Sequence, residues 1–210
     1  PMLSAEYFEQ YAIRTANYRM FRKAMLDDTG APTLPYLELH KITGREDYLA
    51  LAEKMADYVI NCQERLPDGT FCRPEPMPGT IWSDDLYMAS SLLLKFYELT
   101  RDTTLINDCV LQAEQMHHYL WDPKFELHRH GYFSATREQS PICWIRSNGW
   151  FLWSVSNILL SIDDSHPSYT RLLDIYRKSI DGLIQYQGKN GLWHQIINDE
   201  NSFEETSGSS

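Results

Sequence analysis

Two segments of this chain, residues 86–99 and 150–162, are apolar on nearly every side, with only Lys95 and Glu98 charged between them. A helix of that kind has to be covered all round by protein, because any open face leaves Leu, Met, Phe or Ile in water. Segments 46–63, 104–120 and 166–187 carry charges on one face and apolar side chains on the other, which suits helices covered on one side only. Alternation of the two kinds is what an inner ring of helices wrapped by an outer ring produces. The chain is therefore predicted to be all-α, built from helical hairpins set around an axis.

Period-two alternation is scarce, and the spacing predicts helices over 5–25, 32–43, 46–63, 83–100, 104–120, 147–162 and 166–187. Ser83 is placed to N-cap the fourth, and Glu46 and Asp47 favour the start of the third through the helix dipole. An internal repeat supports the hairpins. Leu37-Glu-Leu-His-Lys-Ile-Thr-Gly44, followed by Asp47-Tyr-Leu, is echoed by Phe96-Tyr-Glu-Leu-Thr-Arg-Asp102, followed by Leu105, and more weakly by Leu159 to Asp164, followed by Tyr169. After each outer helix comes a loop of one type: Asp68-Gly-Thr-Phe71, Lys124-Phe-Glu-Leu127, Asn190-Gly-Leu-Trp193. Three hairpins of a single α/α toroid are thus visible over 1–210. Glu204 to Ser210 is a flexible tail by composition, yet the repeat places the start of another inner helix there, so the chain is predicted to stop in mid-architecture.

A net charge of −10 disfavours nucleic acid and anionic membranes as partners. An anionic ligand would need a local cation. No apolar run reaches the roughly 18–20 residues of a membrane span, and the first twenty residues lack the basic start and apolar block of a signal peptide. A cytoplasmic location is the default expectation, although the chain begins at Pro1 and a segment can precede it. Cys62, Cys72, Cys109 and Cys143 show no CxxC or Cys/His ligand spacing, which points to free, mostly buried thiols and no metal site. Phosphate loops, Gly-x-Ser-x-Gly elbows and His-Glu-x-x-His are absent, so neither serine nor zinc chemistry is indicated and no cofactor is expected.

The polar groups that a buried helix does not need stand at the helix starts. Trp82-Ser-Asp-Asp-Leu-Tyr-Met88 opens one inner segment and Trp144-Ile-Arg-Ser-Asn-Gly-Trp150 the other. An Asp pair in a first turn is explained by the helix dipole alone. Trp82 and Met88, two residues before and four after Asp84, add an apolar wall, and desolvation moves a carboxyl toward the range of a general acid. Asp27 and Asp28, also just before an inner helix, are candidates for a second carboxylate. Arg146, between Trp144 and Trp150, is either an ion-pair partner of a neighbouring helix or a planar set of donors for a ligand carboxylate or hydroxyl, with indoles to stack on a sugar ring. Asn148-Gly149 admits close backbone approach or eases helix packing. His130 lies in the loop between the two site-bearing helices, whereas His117, His118 and His166 fall on presumed outer helices and are expected at the surface.

These pieces, with Leu26-Asp-Asp-Thr-Gly-Ala31, His130-Gly-Tyr132, Gly191-Leu-Trp-His-Gln195 and Glu205-Thr-Ser-Gly208, run through almost the whole chain in an order that resembles the unsaturated rhamnogalacturonyl hydrolases of glycoside hydrolase family 105, relatives of the family 88 unsaturated glucuronyl hydrolases. The resemblance implies an (α/α)6 barrel and hydrolysis that begins by hydrating a double bond. Such enzymes act on the 4,5-unsaturated uronic acid that polysaccharide lyases leave at the non-reducing end. By position the proton donor matches Asp84 and the second acidic residue Asp28 or its neighbour Asp27. Trp82, Met88, His130, Trp144, Arg146 and Trp150 match pocket residues.

Departures accompany the match. Family members are considerably longer, the loop from His130 to Arg146 looks short, and Phe133 stands where an Asp is common. The expectation is a fragment of a longer catalytic domain, with part of the barrel supplied by missing segments or a partner chain, exposed flanks on 150–162, and activity in doubt for the fragment alone. Two other functions are kept open. One is a non-catalytic oligosaccharide-binding or scaffolding module of the same fold, and the other is a different α/α-toroid sugar enzyme.

Overall fold

The computed structural model describes residues 25–209; the helix expected over 5–25 lies outside them but for Met25. A short turn, α1 (Leu26–Thr29), and a 3-10 turn (Ala31–Thr33) lead into three hairpins: α2 (Leu34–Thr43) with α3 (Glu46–Asn61), α4 (Asp84–Thr100) with α5 (Thr103–Leu120), and α6 (Ile145–Ser161) with α7 (Tyr169–Ile184). Inner helices α4 and α6 pack on each other, and each is backed by its own outer helix. The architecture is the all-α toroid type, represented here by three hairpins among the described residues.

The repeat has a physical origin at the first two hairpin corners. The residue ending α2 is Gly44 at φ 69°, and the residue ending α4 is Arg101 at φ 60°. Each left-handed residue reverses the chain and lets its N–H bond the carbonyl four residues back, His40 and Tyr97. Asp102 then caps α5 by accepting from the Thr104 N–H at 2.9 Å. The third corner ends on Ile162 in extended backbone, which is why its echo in the sequence is weak.

Burial follows the inner and outer division. Helix α4 buries Leu86, Ala89, Ser90, Ser91, Leu92, Leu93, Leu94 and Phe96, so it is covered nearly all round. Complete burial of Leu92 and Leu93 stabilises by roughly 1.5–3 kcal/mol each. Helix α6 buries Phe151, Val155 and Ile158 on one side but leaves Trp153 42% and Leu160 85% exposed on the other. One flank of this apolar helix is therefore open among the described residues. A second, smaller core of Leu127, Cys143, Ile145, Leu183 and Ile197 sits under the start of α6. All four cysteines are free, three of them buried, and burial pushes the Cys143 thiol up to about 11.

The seven strands among the described residues, each of two or three residues, were not legible, being too short to show alternation. β1 (Thr80–Trp82), β4 (Gly131–Phe133) and β5 (Glu138–Gln139) form an antiparallel sheet in the order β1-β4-β5, with Trp82 opposite Gly131. β2 (Trp121–Asp122) pairs with β3 (Leu127–His128), and β6 (Trp193–His194) with β7 (Glu204–Glu205). Two sequence expectations fail here. The segment from Glu204 is neither a loose tail nor, within the described residues, a helix: it pairs as a strand and lays Gly208 against Ile145, where a Cβ would stand 2.6 Å from Ile145 Cγ1. Ser83 makes no capping bond; it has helical backbone angles, and its hydroxyl donates to the Ser147 carbonyl at 3.3 Å, tying the start of α4 to that of α6.

Candidate active site

The Ser83–Ser147 bond and the Tyr87–Trp150 stack bring the starts of α4 and α6 together, and the small strands lie beside them. That region gathers the polar residues singled out above. Asp84 is the first residue of α4 and is buried, 6% exposed. The preceding strand β1 carries Trp82, and the Ser83 N–H donates to the His130 carbonyl at 3.0 Å, which fixes the loop beside the helix start. His130 Nε2 then lies 2.9 Å from Asp84 Oδ2. The imidazole is boxed by Trp82 and Trp144, with ring centroids 5.1 and 5.0 Å away.

Asn148 helps to hold that loop in place. Its Oδ1 accepts the His128 N–H at 3.0 Å and its Nδ2 donates to the His128 carbonyl at 2.9 Å, so the side-chain amide serves strand β3 as a substitute neighbour. Gly149 faces Gly208, and a Cβ there would stand 3.7 Å from Gly208 Cα, an ordinary contact, so packing does not require glycine at this position.

Arg146 lies over Trp144, its Cζ 3.7 Å from the ring centroid, and 5.8 Å from that of Trp150. Its ion-pair partner is Glu205 on β7 and not a neighbouring helix, with Nη1 3.1 Å from Oε1. The other Glu205 oxygen accepts the Trp144 indole N–H at 2.9 Å. Trp150 stacks on Tyr87 of α4 at 5.0 Å and 8°, an aromatic joint between the two inner helices. Met88 is half-buried against the main core, and its backbone carbonyl receives the turn that follows α1. A Cβ on Gly30 would stand 2.0 Å from Met88 O, so only glycine lets the turn bearing Asp27 and Asp28 approach α4 so closely.

The two acidic candidates on that turn differ. Asp27 is claimed by Arg73, both oxygens within 2.7 and 3.1 Å of the guanidinium. The same guanidinium holds Asp85 through Nε and Nη2, the shortest contact 2.6 Å, and lies 4.4 Å over the Trp82 ring. Arg73 is 3% exposed and Asp85 0%. Burial pushes the Asp85 carboxyl up to about 6, against the pull of Arg73 and with the help of the neighbouring charges of Asp27 and Asp84. Asp28 is half-buried on the inner turn, its N–H bonded to the Met25 carbonyl at 2.9 Å.

The structure thus joins Asp84, His130, Trp82, Trp144 and Arg146 in one contiguous cluster, places Trp150 beside it through Arg146 and Tyr87, and ties the exposed Asp27 to it through Arg73. Sequence reading missed Arg73, Tyr87 and the role of Glu205. Arg73 sits in an irregular loop between α3 and β1 with no motif around it, and Glu205 lies in a segment whose composition suggested a tail. One surface expectation was also wrong: His117 faces inward, its Nδ1 3.0 Å from Nε2 of the fully buried His128.

The sequence of residues 3–210 matches the profile of Glycosyl Hydrolase Family 88. The chain is 31% identical over 179 residues to the unsaturated rhamnogalacturonyl hydrolase YesR of Bacillus subtilis, covering 82% of this chain and 52% of that protein. It is 26% identical over 121 residues to an unsaturated 3S-rhamnoglycuronyl hydrolase of an Alteromonas species, covering 56% and 29%. Among solved structures, a family 105 glycoside hydrolase of C. acetobutylicum superposes with a TM-score of 0.80 at 22% identity, covering 88% of this chain and 54% of that one. The unsaturated glucuronyl hydrolase of Bacillus sp. GL1 superposes with a TM-score of 0.70 at 16% identity, covering 99% and 59%. The chain spans about half the length of YesR. With the toroid architecture and the profile match in agreement, the chain belongs to Glycosyl Hydrolase Family 88.

Proposed function

We propose that the chain carries the site of a hydrolase that removes a 4,5-unsaturated uronic acid from the non-reducing end of lyase-generated oligosaccharides, with Asp84 as general acid and base. One observation carries this reading. A buried carboxylate is held by an imidazole between two indoles, and the same indole wall carries a guanidinium. An apolar, hydrogen-bonding cleft with one acid and one cation fits an unsaturated sugar acid, whose ring stacks on indole and whose carboxylate needs a cation.

In this scheme Asp84 gives its proton to C4 of the enol ether, leaving the positive charge shared by C5 and the ring oxygen. Water bonds to C5 and loses a proton to the Asp84 carboxylate, which restores the acid. The resulting hemiketal opens to a C5 ketone, and the hemiacetal freed at C1 releases the neighbouring sugar as an alcohol. Overall one water is consumed and no redox partner is involved. Asp28 is the second acidic residue in this scheme, with its neighbour Asp27, which pairs with Arg73, as the alternative. Trp82, Met88, Trp144 and Trp150 form the walls, and Arg146 faces the uronate carboxylate. The spacing rule for paired glycosidase carboxylates has no bearing here, since the first bond is made at an alkene.

The test is the ultraviolet band of the enol ether in unsaturated uronyl disaccharides incubated with the chain and with Asp84→Asn. Decay of the band that requires Asp84 supports the reaction. A stable band together with measurable saccharide binding would replace it with a binding module, and release of sugar with the double bond intact would replace it with an ordinary glycosidase.

A further inference from the structure

We infer that Glu205 is a positioning residue that presents Arg146 to the carboxylate of the ligand and thereby sets the preference for an acidic over a neutral sugar; the inference rests on the function proposed above. The geometry is specific. Glu205 is 9% exposed, and its two oxygens are divided between two partners: Oε2 accepts the Trp144 indole N–H at 2.9 Å, and Oε1 lies 3.1 Å from Arg146 Nη1. The Ser207 hydroxyl donates to the same Oε1 and stands 3.4 Å from Arg146 Nη1. A single carboxylate thus holds both the guanidinium and the indole that the guanidinium lies on, at 3.7 Å.

The consequence lies on the other edge of the guanidinium. Arginine has five N–H donors in a planar fork. Among the described residues Glu205 and Ser207 engage Nη1 alone, and the side chain remains 36% exposed. Stacking fixes the plane and Glu205 fixes the rotation within it, so Nε and Nη2 form a parallel pair of donors held ready for a second carboxylate. An unanchored arginine would lose side-chain entropy on binding. Glu205 also limits what Arg146 accepts, because the edge already bonded to a carboxylate is closed to the ligand. The strand pairing of β7 with β6 delivers this residue, with Glu205 opposite Trp193.

The prediction concerns discrimination, which a structural role alone would not move. Affinities for an unsaturated uronyl disaccharide and for its methyl ester are compared by calorimetry in the Asp84→Asn background, which does not turn the ligand over, as the parent, with Glu205→Gln, with Arg146→Gln and with both. Glutamine keeps one acceptor for the indole but turns an amide toward the guanidinium. The acid-over-ester ratio should fall about tenfold in Glu205→Gln, with little change for the ester, and Glu205→Gln should add nothing in the Arg146→Gln background. Equal weakening of acid and ester, or an additive double variant, overturns the inference. Trp144→Phe is the second variant in case Glu205→Gln does not fold. It removes the indole bond but keeps the Glu205–Arg146 pair and a ring under the guanidinium, so the ratio should fall less than for Arg146→Gln; an equal fall would place the discrimination in the indole and overturn the proposal. A parent chain that binds neither compound overturns the proposed function and this inference with it, and is told apart because the failure precedes any substitution.

Discussion

His130 Nε2 and Asp84 Oδ2 stand 2.9 Å apart although 46 residues separate them, and that contact links the start of α4 to the loop before β4 through side chains of the candidate site. An ionised Asp84 accepts from the imidazole N–H; a protonated Asp84 donates to a bare Nε2. Either way the carboxyl is fixed in rotation. Asp84→Asn should abolish decay of the enol-ether band. His130→Ala, which frees the carboxyl but leaves it in place, should lower kcat by roughly 10²-fold with a smaller effect on KM. Steady-state absorbance kinetics check both, and full activity in Asp84→Asn would remove Asp84 from the chemistry.

Arg73 neutralises two carboxylates beneath that pair, and the variants should reveal how unequal its partners are. Arg73→Met leaves the fully buried Asp85 carboxyl without its partner and should cost about 3–5 kcal/mol in urea unfolding. Asp27, 44% exposed, can be hydrated once released, so Asp27→Asn should cost under about 1 kcal/mol. The pH dependence carries a sign. The Asp85 carboxyl is raised from 3.8 to about 6 on folding, so its contribution is fully present below about 3.8 and is lost as pH rises through about 6. The stability of the parent relative to Asp85→Asn should therefore decline across that window; a difference that grows with pH would contradict the direction of the shift.

How far the sequence reached depended on whether a residue's role was local. The all-round apolar runs 86–99 and 150–162 specified two inner helices to within a few residues, and Gly44 and Asp102 marked hairpin corners through backbone conformations that sequence can express. Trp82, Asp84, Trp144 and Arg146 were legible because they stand next to those runs. Arg73 and Glu205 were not, since each matters through partners outside its own element: Arg73 through Asp85 and Asp27, 12 and 46 residues away, and Glu205 through Trp144, 61 residues away. Strands of two or three residues likewise hold their positions through pairing partners, and no periodicity announces them. Ser83 shows the converse error, in which a good local rule for capping yielded to a tertiary bond with Ser147.

Gly30 gives a test of how closely the acidic turn must sit against α4. A methyl at this position would stand 2.0 Å from Met88 O and 2.5 Å from Met88 C, atoms of helix backbone that cannot swing away. Gly30→Ala should cost about 1–3 kcal/mol by overpacking and push Asp27 and Asp28 away from the helix that bears Asp84. Calorimetric melting measures the first effect and the absorbance assay the second. Unchanged activity in a destabilised Gly30→Ala protein would show that the separation of α1 from α4 does not govern the reaction.

Acid should open the molecule at the contact between His117 and His128. Nδ1 of the first and Nε2 of the second are 3.0 Å apart, a distance that accommodates one shared proton and not two. His128 is fully buried and stacked on Phe151 at 3.8 Å, and burial holds it well below the usual imidazole range. Burial, with Lys178 and Arg171 of α7 adding positive charge against the opposing Asp174, takes His117 down to about 4. A base whose folded value is depressed contributes stability above its unfolded value of about 6.5, and that contribution is lost as pH falls toward 4. Each histidine that must take up a proton on unfolding adds a slope of up to about 1.4 kcal/mol per pH unit in this window. Urea unfolding between pH 7 and 4 should show that decline, and His117→Gln should flatten it by about one proton. Because His128 is two residues from His130 and its backbone is held by Asn148, the loop that carries His130 should be the first part of the site to lose its place. A His130 resonance that stays native while the His117–His128 pair protonates would sever that link.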